Sequence, residues 1–186
     1  MEKILSLPYL NKMIYQPAED SYILLKEVKR YAKNKIVLDM GSGSGIQALT
    51  AKEAGAKSVL ATDIIPEPIK YLKKQNIPTI QSDLFQNIKG KFDLIIFNPP
   101  YLPYDKREDK ESSLQTAGGK RGDEIIIRFL REVKYYLSKE GIVLIVISSL
   151  TPKTKIIKTL KQQKLKKTIL STNKFFMETL EVWRIQ

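Results

Sequence analysis

Apolar and polar positions along the chain switch repeatedly between two periods. Short apolar runs read as buried strands, and stripes at three- and four-residue spacing read as helices. Residues 17–33 predict a first helix. Pro17 suits its opening turn, Glu19 and Asp20 favour the positive end of its dipole, and Ile23, Leu24 and Val28 form its apolar stripe. KIVLDM at 35–40 predicts a buried strand, followed by a helix over 45–54 with Gly55 just past its end. Strands are predicted at 58–62 and 79–82, with a helix at 66–74 between them, and FDLIIF at 92–97 is a fourth strand. Residues 98–121 carry Pro, Gly and charge with no period and read as one long loop, a length that is functional or disordered in a compact domain. A strongly amphipathic helix follows at 122–137, then a strand at 141–148 and a Lys-rich helix at 152–163. Two strands at 165–172 and 175–185 are joined by a tight Asn173-Lys174 turn. This alternation predicts an α/β, Rossmann-like fold: one domain over 1–186, with a seven-stranded, mostly parallel sheet, a C-terminal antiparallel hairpin and helices on both faces. Such sheets bind ligands outside the carboxyl ends of their strands.

Composition narrows the chemistry. With 186 residues, 42% of them hydrophobic, one sizeable core is expected. No apolar run reaches the roughly 18–20 residues of a membrane helix. The opening MEKILSLPYL lacks the features of a secretion signal, so a cytoplasmic protein with no membrane contact is expected. Cysteine and histidine are both absent. That excludes disulfides, thiol nucleophiles, Cys/His zinc sites and His bases. The formal charge of +12 suggests RNA, the ribosome or another acidic partner, or else the Lys-rich composition of heat-adapted or AT-rich organisms. The Lys-rich stretch 153–167 reads as a solvated helix face plus an edge strand protected by charge, or as a contact for rRNA or the acidic parts of a release factor. Tyr135, Tyr136, Phe175, Phe176 and Trp183 read as core or sheet-edge packing, or in part as a docking surface for an activator.

Four segments at strand ends carry the candidate chemistry. Asp39-Met40-Gly41-Ser42-Gly43-Ser44-Gly45 joins a strand to a helix. Its glycines permit a tight turn and close approach of a ligand. The dinucleotide fingerprint G-x-G-x-x-G would need glycine where Ile46 stands; G-x-G-x-G preceded by an acid is the spacing used with S-adenosylmethionine (AdoMet). Asp63 ends the second strand about 20 residues later, where an acid binds ribose hydroxyls. Asp83-Leu84 follows the third strand, placed to face an adenine amino group and pack on its ring. Asn98-Pro99-Pro100-Tyr101 follows the fourth strand. Its two prolines stiffen the loop and remove two N–H donors. The Asn98 side-chain oxygen and the Pro99 carbonyl can then accept both hydrogens of a planar NH2 group, holding its nitrogen in line with a methyl donor. Tyr101 offers a flat face to that group. No strong base is required, in keeping with the missing His and Cys.

Together these segments resemble class I AdoMet-dependent methyltransferases acting on planar NH2 groups. The sequence is most similar to the release-factor glutamine N5-methyltransferase family of the HemK2/Mtq2 type. Further stretches carry that resemblance: Tyr15-Gln16-Pro17-Ala18-Glu19-Asp20-Ser21, Thr62-Asp63-Ile64, Phe97 before the Asn-Pro-Pro-Tyr loop, and Ala117-Gly118-Gly119 with Gly122 and Arg128-Phe129. The resemblance implies that Ser21, Asp39, Gly41, Asp63, Asp83 and Leu84, with Gly43, Gly45 and Asn98, hold AdoMet (product S-adenosylhomocysteine). It implies that Asn98 and Pro99 bind the glutamine amide of a Gly-Gly-Gln loop in a class-1 translation release factor, in a pocket lined by Pro100 and Tyr101. It also implies a small zinc-containing activator of the Trm112 type. Two other readings stay open: an adenine amino-methyltransferase of RNA or DNA, and a non-catalytic AdoMet-fold subunit. The latter would be expected to have lost the Asn-Pro-Pro-Tyr loop.

Overall fold

The computed structural model describes residues 14–186. The reading of MEKILSLPYL as lacking a secretion signal lies outside the described residues. The elements are α1 (Glu19–Tyr31), β1 (Ile36–Met40), α2 (Ile46–Glu53), β2 (Ser58–Asp63), α3 (Pro66–Lys74), β3 (Thr79–Gln81), β4 (Phe92–Phe97), α4 (Lys110–Thr116), α5 (Glu124–Glu132), β5 (Leu137–Ser148), α6 (Lys153–Gln162), β6 (Lys167–Lys174) and β7 (Thr179–Ile185).

The strands form one seven-stranded sheet in the order β3-β2-β1-β4-β5-β7-β6. The first five pair in parallel, and β7 lies antiparallel between β5 and β6. Period-two alternation divides the central strands between two cores. Leu38, Ile95, Phe97, Val143 and Ile145 face the side covered by α5 and α6. Val37, Leu94, Ile96, Leu144 and Val146 face the side covered by α1, α2 and α3. Helix α1 buries the stripe its sequence predicts, Ile23, Leu24 and Val28, and the amphipathic α5 buries Ile126, Ile127, Phe129 and Leu130. Among the described residues, no helix is long and apolar enough to cross a membrane.

Four sequence expectations need correction. Residues 98–121 are not all loop, because α4 forms within them. Its short span of polar and small residues gives no stripe long enough to read. The helix expected over 122–137 is α5 followed by a 3-10 turn, Val133–Tyr136, and β5 begins at Leu137 rather than 141. The exposed Lys139 and Glu140 within β5 hide its first residues from an apolar-run reading. The hairpin turns at 175–178, not at Asn173-Lys174, and closes with Phe175 N–H donating to the Glu178 carbonyl at 2.7 Å. The aromatic reading divides as well. Trp183 is buried and Tyr136 stacks on Phe85, whereas Tyr135, Phe175 and Phe176 are exposed.

Candidate active site

A cleft of about 780 Å³ opens at the carboxyl ends of β1, β2 and β4. Its size falls within the roughly 300–1,000 Å³ of small-molecule sites. It sits where the strand order reverses, between β1 and β4. The cleft gathers Ser21, Asp39, Gly41, Gly43, Asp63, Asp83, Leu84, Asn98, Pro99, Pro100 and Tyr101. Gly45 is the exception and does not line the cleft. It shapes the turn instead: its φ is +78°, and a Cβ there would stand 2.2 Å from Leu72 Cδ2 of α3. An L side chain at that position would have to displace the Leu72 side chain as well as adopt a left-handed backbone.

The half of the cleft over β1 to β3 is acidic and threaded by backbone amides. Asp63 accepts from Gly43 N–H and Ile65 N–H, both at 2.9 Å, which ties the glycine turn to β2. A carboxylate has about four acceptor positions, so Asp63 keeps capacity for a ligand's hydroxyls. Asp39 is almost wholly buried, and its Oδ2 accepts from Ala48 N–H near the start of α2 at 3.0 Å. Burial pushes its carboxyl up to about 7, against the opposing pull of that amide. Burial also raises Asp63, opposed by its amide donors. A ligand bearing positive charge would offset the cost of ionising both groups. Asp83 is half-exposed and pairs with Arg128 at 2.9 Å. Leu84, at φ +48°, packs into the core below it.

The other half of the cleft is built on the Asn-Pro-Pro-Tyr loop. The Asn98 amide nitrogen donates to Ser21 Oγ at 3.5 Å. Ser21 Oγ in turn donates to the Asp20 carboxylate at 3.1 Å, and Asp20 also accepts from the Tyr15 hydroxyl at 2.9 and 3.0 Å. That chain directs the amide nitrogen of Asn98 toward α1. Its Oδ1 is left as a buried acceptor with no hydrogen-bond partner. An orphaned buried acceptor is costly, and a donor pair supplied by a substrate would relieve it. The Tyr101 hydroxyl is hydrogen-bonded to Glu178, and burial with the Asp20 and Glu178 carboxylates holds it well above the usual phenol range. Tyr15 is raised likewise, first by burial and then by Asp20.

Residues 102–121 fold back on this loop. Leu102 N–H donates to the Thr116 carbonyl, Gly118 N–H to the Leu102 carbonyl and Tyr104 N–H to the Gly119 carbonyl, each at 2.9 Å. The reason for glycine at 118 and 122 is close backbone approach. A Cβ at 118 would lie 2.6 Å from the Pro100 carbonyl oxygen, and one at 122 would lie 2.2 Å from that of Tyr101. The glycines therefore clamp the prolyl loop from behind.

Several lining residues escaped the site reading of the sequence. Asp20 and Tyr15 stood in the quoted Tyr-Gln-Pro-Ala-Glu-Asp-Ser stretch, but nothing in one dimension brings them to Asn98. Gln47 donates to the Ser21 carbonyl at 2.8 Å and keeps a buried Oε1 without a partner. Its only sequence signal was a polar residue in the first turn of α2. Ser113, Leu114 and Thr116 enter the wall because α4 forms.

The model of the methyltransferase small domain matches residues 18–177. A protein of Methanocaldococcus jannaschii assigned to the protein N5-glutamine methyltransferases is 42% identical over 187 residues, covering 95% of this chain and 94% of that one. Methyltransferase HEMK2 of Homo sapiens is 30% identical, covering 91% and 87% respectively. Among solved structures, Mtq2 from the E. cuniculi Mtq2–Trm112 complex, responsible for methylating the termination factor eRF1, superposes with a TM-score of 0.75 at 25% identity, covering 94% of this chain and 98% of that one. The chain belongs to the methyltransferase small-domain family, in its branch of HemK2/Mtq2-type protein N5-glutamine methyltransferases.

Proposed function

We propose that this methyltransferase moves the methyl group of AdoMet to the side-chain amide nitrogen of a glutamine, that of the Gly-Gly-Gln loop of a class-1 translation release factor. The observation that carries the reading is the unpartnered, buried Oδ1 of Asn98. Bound AdoMet supplies an electrophilic methyl carbon. The chain supplies position. Asn98 Oδ1 accepts one amide hydrogen and the Pro99 carbonyl the other, so the nitrogen is held with its lone pair in line with the methyl group. As the new N–C bond forms and the S–C bond breaks, positive charge grows on nitrogen beside two fixed oxygen dipoles. The nitrogen then sheds one proton to solvent, so no strong base is needed before transfer.

Asp63 is assigned to the ribose hydroxyls, Asp83 and Leu84 to the adenine, and Ser21, Asp39 and the backbone at Gly41 and Gly43 to the methionyl part. The cleft volume and the two raised carboxyls suit that cationic ligand. Residues 1–186 act as one catalytic domain, in the cytoplasm where release factors work. A zinc-containing activator of the Trm112 type is the expected partner, supported by the Mtq2–Trm112 complex. The basic surface is assigned to contact with RNA or the ribosome.

The same loop would also accept an adenine amino group, and the +12 charge favours nucleic acid. Labelling with methyl-tritiated AdoMet separates the two readings. The enzyme, with and without activator, is offered the release factor, its Gly-Gly-Gln glutamine variant, total RNA and genomic DNA. Label confined to the unaltered release factor is expected; label on RNA or DNA in its place overturns the glutamine reading.

A further inference from the structure

We propose that the β6–β7 hairpin tip, Phe175-Phe176-Met177, is a docking surface for the folded body of the protein substrate, beside the loop that carries its glutamine. This inference rests on the reading of the substrate as a protein. Turns favour Gly, Asn, Asp and Ser. This one holds three large apolar residues, exposed to 39%, 102% and 80%. Scattered surface apolar residues need no explanation, but a consecutive group at the apex of a hairpin marks an interaction site.

The tip lies at the same end of the sheet as the chemistry. Strands β4 and β5 run parallel, with Phe97 opposite Ile145, so Asn98 and Ser148 leave the sheet at one edge. Strand β7 returns antiparallel, with Leu180 opposite Ser148, so the turn overhangs that edge. Two bonds fix its base there: Ser149 N–H donates to the Thr179 carbonyl at 2.8 Å, and Thr179 N–H to Ser149 Oγ at 2.9 Å. Glu178 accepts from Ser148 Oγ and is hydrogen-bonded to the Tyr101 hydroxyl, so the tip stands on the wall of the catalytic cleft. Tyr104 and Leu114, both lining the cleft, and Leu150 just past β5 are also more than 40% exposed. A glutamine side chain in the cleft is too short to cover the tip. A protein continuing beyond the glutamine can reach it, and an apolar, aromatic ridge matches the core of a protein interface rather than a phosphate backbone.

The test compares wild type with the double variant Phe176→Ser, Met177→Ser, in the presence of activator. Neither residue belongs to the catalytic machinery. Three quantities are measured: methylation of the intact release factor, methylation of a short Gly-Gly-Gln peptide, and direct binding of the release factor to the enzyme loaded with S-adenosylhomocysteine. The expected result is a rise of about ten-fold or more in KM and Kd for the intact factor. The kcat for the intact factor, the rate on the peptide and AdoMet affinity should stay at wild-type values. Unchanged KM and Kd overturn the docking surface. So does an equal loss on peptide and protein, which would mean the tip acts through the Glu178–Tyr101 contact. Loss of activator binding, or dissociation of a wild-type dimer, with the release-factor constants unchanged, assigns the tip to those occupants and also overturns it. Wild-type enzyme that labels nucleic acid but neither protein nor peptide overturns the glutamine reading itself, a result separable from all of these.

Discussion

Asn98 keeps its amide nitrogen on Ser21 and leaves its oxygen without a donor. Asn98→Ala removes that acceptor, and turnover is expected to fall by about 10²–10³ while AdoMet affinity is kept, as for loss of one preorganised dipole. Single-turnover kinetics beside calorimetry separate the two effects, and unreduced turnover contradicts the assigned role. Asp39 gives a pH signature. Its carboxyl is raised to about 7 by burial, from an ordinary value near 4. The fold therefore favours its protonated form. That contribution to stability is complete below the unfolded-state value and is lost as pH rises through about 7. A cationic ligand favours the carboxylate instead, so AdoMet affinity should rise between about pH 6 and pH 8. Asp39→Asn should flatten that rise in a titration series; a wild-type affinity that does not change across this range contradicts the account. At this scale the sequence was most legible where chemistry sits at a strand end. Asp39, Asp63 and Asn98 could be placed because a strand precedes each of them. Gln47 could not, because its approach to Ser21 depends on α1 meeting α2 in three dimensions, and the Ser21–Asn98 contact that links Asp20 to Asn98 spans 77 residues of chain.

Between residues and fold, the prolyl loop and the segment that backs it behave as one unit. Gly122, at φ +88°, lies so close to the Tyr101 carbonyl that a Cβ would sit 2.2 Å from that oxygen. Gly122→Ala should push the catalytic loop out of place and cut turnover on the order of 10²-fold, the cost of about an ångström of misplacement. Near-native circular dichroism with reduced turnover is the expected result, and full activity contradicts the clamp. Beneath the site, Phe129 of α5 stacks on Phe85 at 5.4 Å and meets Phe97 at 4.6 Å between ring centroids. Phe129→Ala should cost about 3–5 kcal/mol in denaturant unfolding; a change near zero would mean the helix does not pack as described. The Phe129 stripe was readable because α5 is strongly periodic. Helix α4 was not: it is short and polar, and its last residue is tied to the prolyl loop by the Leu102 N–H bond to the Thr116 carbonyl, which no sequence pattern announces. The 175–178 turn was misplaced because aromatic residues there look like strand, whereas they stand in solvent.

For the whole molecule, alternating strands and helices specified a parallel sheet with two covered faces, and the ligand end of the sheet followed from its topology. What the pattern did not specify was the substrate. A planar NH2 is common to glutamine and adenine, and the net charge of +12 leans toward the second. The apolar rim at the cleft mouth leans toward the first. Charge is a property of the entire surface, whereas discrimination belongs to the few residues around one opening, and those come together only on folding. The central claim is that the acceptor at Asn98 receives a glutamine amide. The most direct measurement is fragmentation mass spectrometry of the release factor after incubation with enzyme, activator and AdoMet. One added methyl group on the side-chain amide of the Gly-Gly-Gln glutamine, absent with Asn98→Ala, is the predicted result. An unmodified glutamine alongside a methylated adenine in RNA or DNA would contradict it.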